Sequence, residues 1–267
     1  MSTVSTVSKI RLGGMALSNG VVVHGPSAWA AAVRTETGEI KVASARKRVL
    51  APRVQQPFLR GPLRLLEGFA FLPELRRRLP EARLPFERPA VLAATAASAV
   101  TVQIVRRTPN LGEAARELVA GVLSLAPALM ALRGGELASY HGAEHVTIGT
   151  YEHDEPRERE HERCGSHLIG PLLAASGAAN ALAARAPQHL RGPARIAGSV
   201  GAISAAVEVF GWMTRNPRHP LARALARPGH ELQHRLATAD PSPEQLAVAE
   251  AALAACLELE NGDSPEH

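Results

Sequence analysis

The sequence predicts a mainly α-helical protein: a four-helix transmembrane bundle with a small N-terminal β unit and a C-terminal helix. After Pro89 come four apolar stretches with almost no charged side chains: Ala90–Val105, Leu118–Leu132, Leu168–Ala184 and Ile196–Met213. Aromatic residues make up only 3% of the chain while alanine and leucine dominate, a composition that favours helix. Short extended segments are confined to the front of the chain.

Within residues 1–50, Val21–His24 and Ala28–Thr35 read as strands, and Glu36-Thr37-Gly38 before Glu39–Ala45 reads as a hairpin turn. Pro52, Pro57 and Pro62 then punctuate residues 51–88, a basic linker whose Leu63–Leu79 has leucines and phenylalanines near helical spacing and ends on Arg76-Arg77-Arg78. Two readings of that helix stand: an amphipathic helix at a membrane surface, or a soluble-domain helix with a solvated arginine end.

Residues 89–215 hold the bundle. Each apolar stretch is 15 to 18 residues, at or below the roughly 17–25 that span a bilayer. A soluble Ala-rich four-helix bundle is therefore the competing architecture. Charge favours the membrane: if both ends are cytoplasmic, the basic front, the loop between the second and third stretches and the Arg215–Arg235 tail all fall inside. Glu208 lies within the fourth stretch, where an acid needs a partner and is a candidate metal ligand or a buried hydrogen-bonded carboxylate. In residues 216–267, Ser242-Pro243-Glu244-Gln245 is a helix start with serine as N-cap, and the helix should run to about Glu260. Cys256 on it reads as a small buried hydrophobe.

Residues 1–88 carry 15 Lys/Arg against 6 Asp/Glu, a net +9, whereas residues 106–167 carry 7 against 10, a net −3. Such a front end suits an anionic membrane leaflet. The nearest aromatics, Phe58, Phe69 and Phe71, are explained by helix packing, which argues against nucleic acid as a partner. The two cysteines, 92 residues apart, suggest a reducing compartment, and Met1–Ile10 lacks the apolar core of a cleaved export signal.

The chemistry concentrates between the second and third stretches. His141-Gly142-Ala143-Glu144-His145 has the order His-x-x-Glu-His, which on a helix puts two imidazoles on one face with a carboxylate beside them. Five of the eleven histidines fall between His141 and His167, and His161-x-x-Cys164 adds an imidazole and a thiol at ligand spacing. If His141, His145, His161 and Cys164 all bind zinc, the shell is closed and the site structural. If only three bind, a position stays open and Glu144 can act as general base of a hydrolase. His153 and His167 read as ordinary residues in a charged connector.

Three blocks together resemble the YqhQ-like family of bacterial membrane proteins: Gly13-Gly14-Met15-Ala16 through Asn19-Gly20 to His24-Gly25-Pro26; Tyr140–His145 with Tyr151-Glu152 and His161-x-Arg163-Cys164-Gly165; and Pro228-Gly229 with Leu232-Gln233 and the Glu244–Cys256 helix. Met15, Asn19 and His24 stand where the family typically has glutamine, glutamate and arginine, Glu162 replaces a proline, and His167 is also atypical. The resemblance implies four membrane helices, a cytoplasmic metal motif and a metal-dependent enzyme of unassigned reaction and substrate. It carries His141, Glu144, His145, His161 and Cys164 as site residues, with Glu152 and Glu208 as weaker ones. A non-catalytic membrane scaffold with a structural metal is the alternative, favoured by the changes at Met15 and Asn19.

Overall fold

In the computed structural model the described residues are 9–47, 66–109, 111–132 and 136–262, with Gln56 and Leu63. Pro52, Pro57, Pro62, Phe58 and nearly all of Met1–Ile10 lie outside them. The front of the chain is an antiparallel meander of four strands, β1 (Gly13–Leu17), β2 (Gly20–His24), β3 (Ala28–Arg34) and β4 (Ile40–Arg46), paired in that order. The predicted hairpin turn is present. Gly38 takes φ +84°, which glycine adopts without strain, and the Thr35 amide donates to the Glu39 carbonyl at 2.9 Å. β1 was not anticipated, because Gly-Gly-Met-Ala has little strand signature. It forms by pairing Met15 with Val22 and Ala16 with Val21.

β2 and β3 are buried on both faces. One face, with Val22, Trp29, Ala31 and Val33, is covered by Phe71, Leu75 and Leu79 around α1 (Leu72–Arg78). The end of the predicted Leu63–Leu79 helix is therefore packed on the sheet, and the Trp29 and Phe71 rings stack 5.5 Å apart. On the other face, Val21, Val23, Ala30 and Ala32 meet Tyr140 and Ala143 of α5 (Leu137–His153) and Val248, Ala252 and Cys256 of α9 (Pro243–Asn261). α9 starts at the predicted capping box: Ser242 Oγ accepts from the Gln245 amide at 3.3 Å, and Gln245 Oε1 accepts from the Ser242 amide at 2.9 Å.

Between these segments lie α2 (Pro89–Arg107), α3 (Glu113–Ser124), α4 (Ala126–Leu132), α6 (Ile169–Ala184), α7 (Arg191–Arg215) and α8 (Pro220–Leu232). Four helical segments are long and apolar enough to cross a membrane: Pro89–Arg107, Ala115–Leu132, Gly165–Ala184 and Gln188–Arg215. The second is broken between α3 and α4 beside Pro127, which has no backbone N–H to give. Only 6, 6, 17 and 22% of the residues in their apolar windows are buried. Outward-facing Leu92, Val100, Ile104, Leu118 and Ile196 are what a bilayer solvates and water does not. The four segments support membrane association over the soluble bundle.

The core adds a topological argument. β2 and β3 precede the first segment, α5 lies between the second and third, and α9 follows the fourth, yet all three share one core. Two of the four apolar segments separate the sheet from α5, and the other two separate α5 from α9, so an even number of potential crossings lies between each pair of core elements. At the other end of the bundle, Glu117 gathers Arg106 at 3.2 Å, Arg195 at 3.7 Å and the Asn180 amide at 3.1 Å.

Candidate metal centre

α5 carries the His-x-x-Glu-His motif and is helical throughout, so His141 and His145 share a face with ring centroids 4.3 Å apart. It is not one of the four apolar segments. The helix is wedged between the sheet and the returning chain: Gly142 backs onto the Ala239 carbonyl, and the Ala239 amide donates to the Ala138 carbonyl at 2.9 Å. Asp154, at φ 58°, ends it and turns the chain back beneath the motif face.

Polar groups buried this deeply need partners. His141 Nδ1 lies 2.8 Å from the Ala237 carbonyl oxygen, and His145 Nδ1 lies 2.6 Å from that of Arg159. A carbonyl only accepts, so each Nδ1 carries a proton and, in the neutral ring, Nε2 is the nitrogen with the free lone pair. Cys164 Sγ is 3.6 Å from His141 Nε2. One ligand atom from each of His141, His145 and Cys164 lies within 4.8 Å of the others, so the group could hold a metal ion. Backbone carbonyls behind both imidazoles are the usual support of metal-binding histidines.

Glu144 is 6% exposed, with Oε2 3.9 Å from His141 Nε2. Burial pushes its carboxyl above the usual range, against the pull of His141 and His161. Burial also lowers the His145 pKa, opposed by its contact with Cys164. Behind Glu144 stands β1: a Cβ on Gly14 would fall 2.6 Å from Glu144 Cγ and Cδ. The glycine of the opening block thus leaves room for the carboxylate, a role that emerges only when β1 and α5 are seen together.

His161 adjoins the group without joining it. Its ring is 5.5 Å from that of His145, but Nδ1 accepts from the Arg163 amide at 3.2 Å, which leaves the proton on Nε2, 3.4 Å from Glu152 Oε2. Glu152 is also ion-paired with Arg163. Burial works against its charge, but His161 and Arg163 outweigh it and hold the carboxyl below the usual range. Glu208 lies half-buried on α7, outside the three-residue group. His153 bonds its own helix at the Gly149 carbonyl, and Cys256 is a core residue, its thiol pushed up to about 11 by burial.

Two contributors were not anticipated. Gln233 is fully buried, accepts from the His161 amide at 2.9 Å and donates to Ser166 Oγ at 2.7 Å, holding both sides of Cys164. The Ala237 carbonyl comes from the same turn, Gln233–Ala237. The only sequence signal was the position of Gln233 in the third block of the resemblance. The departures in the first block prove to serve the fold: Asn19 donates to the Arg34 and Glu81 carbonyls and accepts from the Arg83 amide, and His24 Nδ1 accepts from Lys47 at 2.8 Å.

No curated protein and no solved structure matches the chain. Residues 136–259, which contain the whole of this centre apart from Gly14, match the family described as Protein of unknown function (DUF1385), in agreement with the resemblance read from the motif blocks.

Proposed function

We propose that this is a zinc-dependent membrane hydrolase whose metal is held by His141, His145 and Cys164, with Glu144 as general base. The observation that carries the reading is the convergence of two imidazoles, each with Nδ1 tied to a carbonyl, and one sulfur beside a buried carboxylate. Two nitrogens and a sulfur suit zinc and also admit iron. Three protein ligands leave a tetrahedral position open. A zinc ion held by His141, His145 and Cys164 would supply Lewis acidity for activating a water or polarising a carbonyl or phosphoryl oxygen. Glu144 would be the group placed to take the proton of such a water; its burial works against the charged form, and a bound cation would offset that. The α5 packing and Gly14 fix its carboxylate, and Gln233 holds the Cys164 turn. With four crossings and cytoplasmic ends, this centre faces the cytoplasm of a bacterial cell membrane.

A structural zinc in a non-catalytic scaffold is the second reading, favoured by His161, whose ring lies 5.5 Å from that of His145. Metal content by mass spectrometry tests both. About one zinc per chain is expected, absent from His141→Ala/His145→Ala and retained in His161→Ala and Glu144→Gln. Metal lost from His161→Ala supports the closed site, and no metal in the native chain defeats both readings.

A further inference from the structure

Beside the centre lies an open cleft of about 710 Å³ between the 156–163 loop, the end of α7 and α8. That volume is ordinary for a small-molecule site. His161 lines it on the side of the metal group, one ring from His145. Its walls are chemically unequal. Phe210 and Met213 from the last turns of α7, with Ala222 and Ala226 from α8, form an apolar side. Arg223 and Arg227, one helical turn apart on α8, form a cationic side. Neither arginine has an acidic partner among the described residues. The other charges are accounted for: Arg163 is paired with Glu152, Arg157 with Glu155, and Glu160 with His234 at 2.6 Å. Exposed Glu158 and Glu162 belong to the loop, so an anion is favoured on the α8 side and disfavoured on the loop side.

The cavity also sits where two of the apolar segments end. Apolar segment Gly165–Ala184 begins two residues before His167, which lines the cavity, and Gln188–Arg215 ends two residues after Met213. A ligand lying there meets hydrocarbon at one end and guanidinium groups at the other.

We infer that this cavity binds the phosphate-bearing head of a lipid, the phosphate on Arg223 and Arg227 and the first part of the acyl chains on Phe210 and Met213. It names the substrate class of the proposed centre and so rests on that reading. Guanidinium groups match phosphate oxygens in geometry and charge, and the apolar wall discriminates a lipid from free phosphate.

The test is a titration of the full chain in neutral detergent, followed by native mass spectrometry, with dioctanoyl phosphatidic acid, dioctanoylglycerol and inorganic phosphate as probes. Phosphatidic acid is expected to bind best, and Arg223→Gln/Arg227→Gln to bind it about tenfold more weakly, or ~1.4 kcal/mol. Both arginines are exposed, so the variant is expected to fold as the native chain does. Dioctanoylglycerol should bind weakly and equally to both proteins. Phosphatidic acid binding that ignores the arginines overturns the inference. Inorganic phosphate binding as tightly as phosphatidic acid, and lost in the variant, overturns the lipid assignment in favour of a soluble phosphate. Zinc is measured in the same samples: zinc present without arginine-dependent binding defeats this inference alone, whereas arginine-dependent binding without zinc defeats the hydrolase alone.

Discussion

Substituting alanine for Gly14 places a methyl group against the Glu144 carboxylate from outside the motif helix. The new Cβ would stand 2.6 Å from Glu144 Cγ and Cδ, roughly 1 Å inside the ~3.5–4.0 Å of ordinary carbon contact. Neither side can easily retreat. β1 is held by its ladder, Gly14 opposite Val23, and α5 is pressed onto the sheet and α9 through Tyr140 and Ala143. Turning Glu144 off its rotamer costs about 0.5–1.5 kcal/mol, and overpacking a core typically costs about 1–3 kcal/mol. For a chain of this size that corresponds to a fall of about 2–10 °C in melting temperature. Thermal unfolding of the purified full chain in detergent, with zinc content measured in parallel, reads both consequences. The midpoint should fall while zinc is retained, because the three atoms nearest the new Cβ all belong to Glu144 and none to His141, His145 or Cys164. Two controls bracket the result. In Gly121→Ala the Cβ meets only Leu173 Cδ2 at 3.9 Å, and a rise of about 1–4 °C from the better helix propensity of alanine is expected. In Gly142→Ala it meets the fixed Ala239 carbonyl, and a larger loss than for Gly14 is expected. A Gly14→Ala midpoint equal to that of Gly121→Ala would refute the idea that β1 fixes Glu144.

Gln233→Ala should lower stability by about 1–3 kcal/mol by orphaning the His161 amide, and weaken zinc retention about 10–100-fold in a chelator competition. Unchanged values for both would show that Gln233 does not hold the loop. His24 has its pKa lowered to about 4 by burial and by Lys47, so it folds as the neutral ring. Its contribution is present above the unfolded pKa near 6.5 and is lost as pH falls toward 4, by up to ~3 kcal/mol at about 1.4 kcal/mol per unit. Melting curves of native and His24→Gln protein from pH 7 to 4.5 should therefore converge at the acid end, and a constant separation contradicts this assignment. For sidedness, cysteines introduced singly by Gln188→Cys and Asn216→Cys are treated in intact cells with an impermeant maleimide. Gln188→Cys should be labelled and Asn216→Cys protected, and the opposite pattern inverts the topology.

Local chemistry made much of this legible in sequence. The apolar stretches, the Ser242 capping box, the Gly38 turn and the His141/His145 spacing each depend on neighbours a few residues away, so the sequence by itself determined the helical class, the four apolar segments and the motif face. Helix ends were less legible: α7 runs from Arg191 rather than Ile196, because Arg191, Arg195 and Arg215 can extend a helix beyond its apolar core.

Only the tertiary structure decided what surrounds the motif. α5 belongs with the sheet and α9 in one core, although residues 89–132 and 165–215 intervene, and no periodicity records that three distant segments share a core. The same distance hid Gly14 behind Glu144, Gln233 beneath the Cys164 turn and the carbonyls of Ala237 and Arg159 behind the two imidazoles. Spacing offered four ligands, and folding gathered three, because the nitrogen geometry of His161 is satisfied by Glu152 and the Arg163 amide. Ligand spacing states which atoms can reach one point, whereas the partners that orient each ring come from chain segments that meet only in the folded protein.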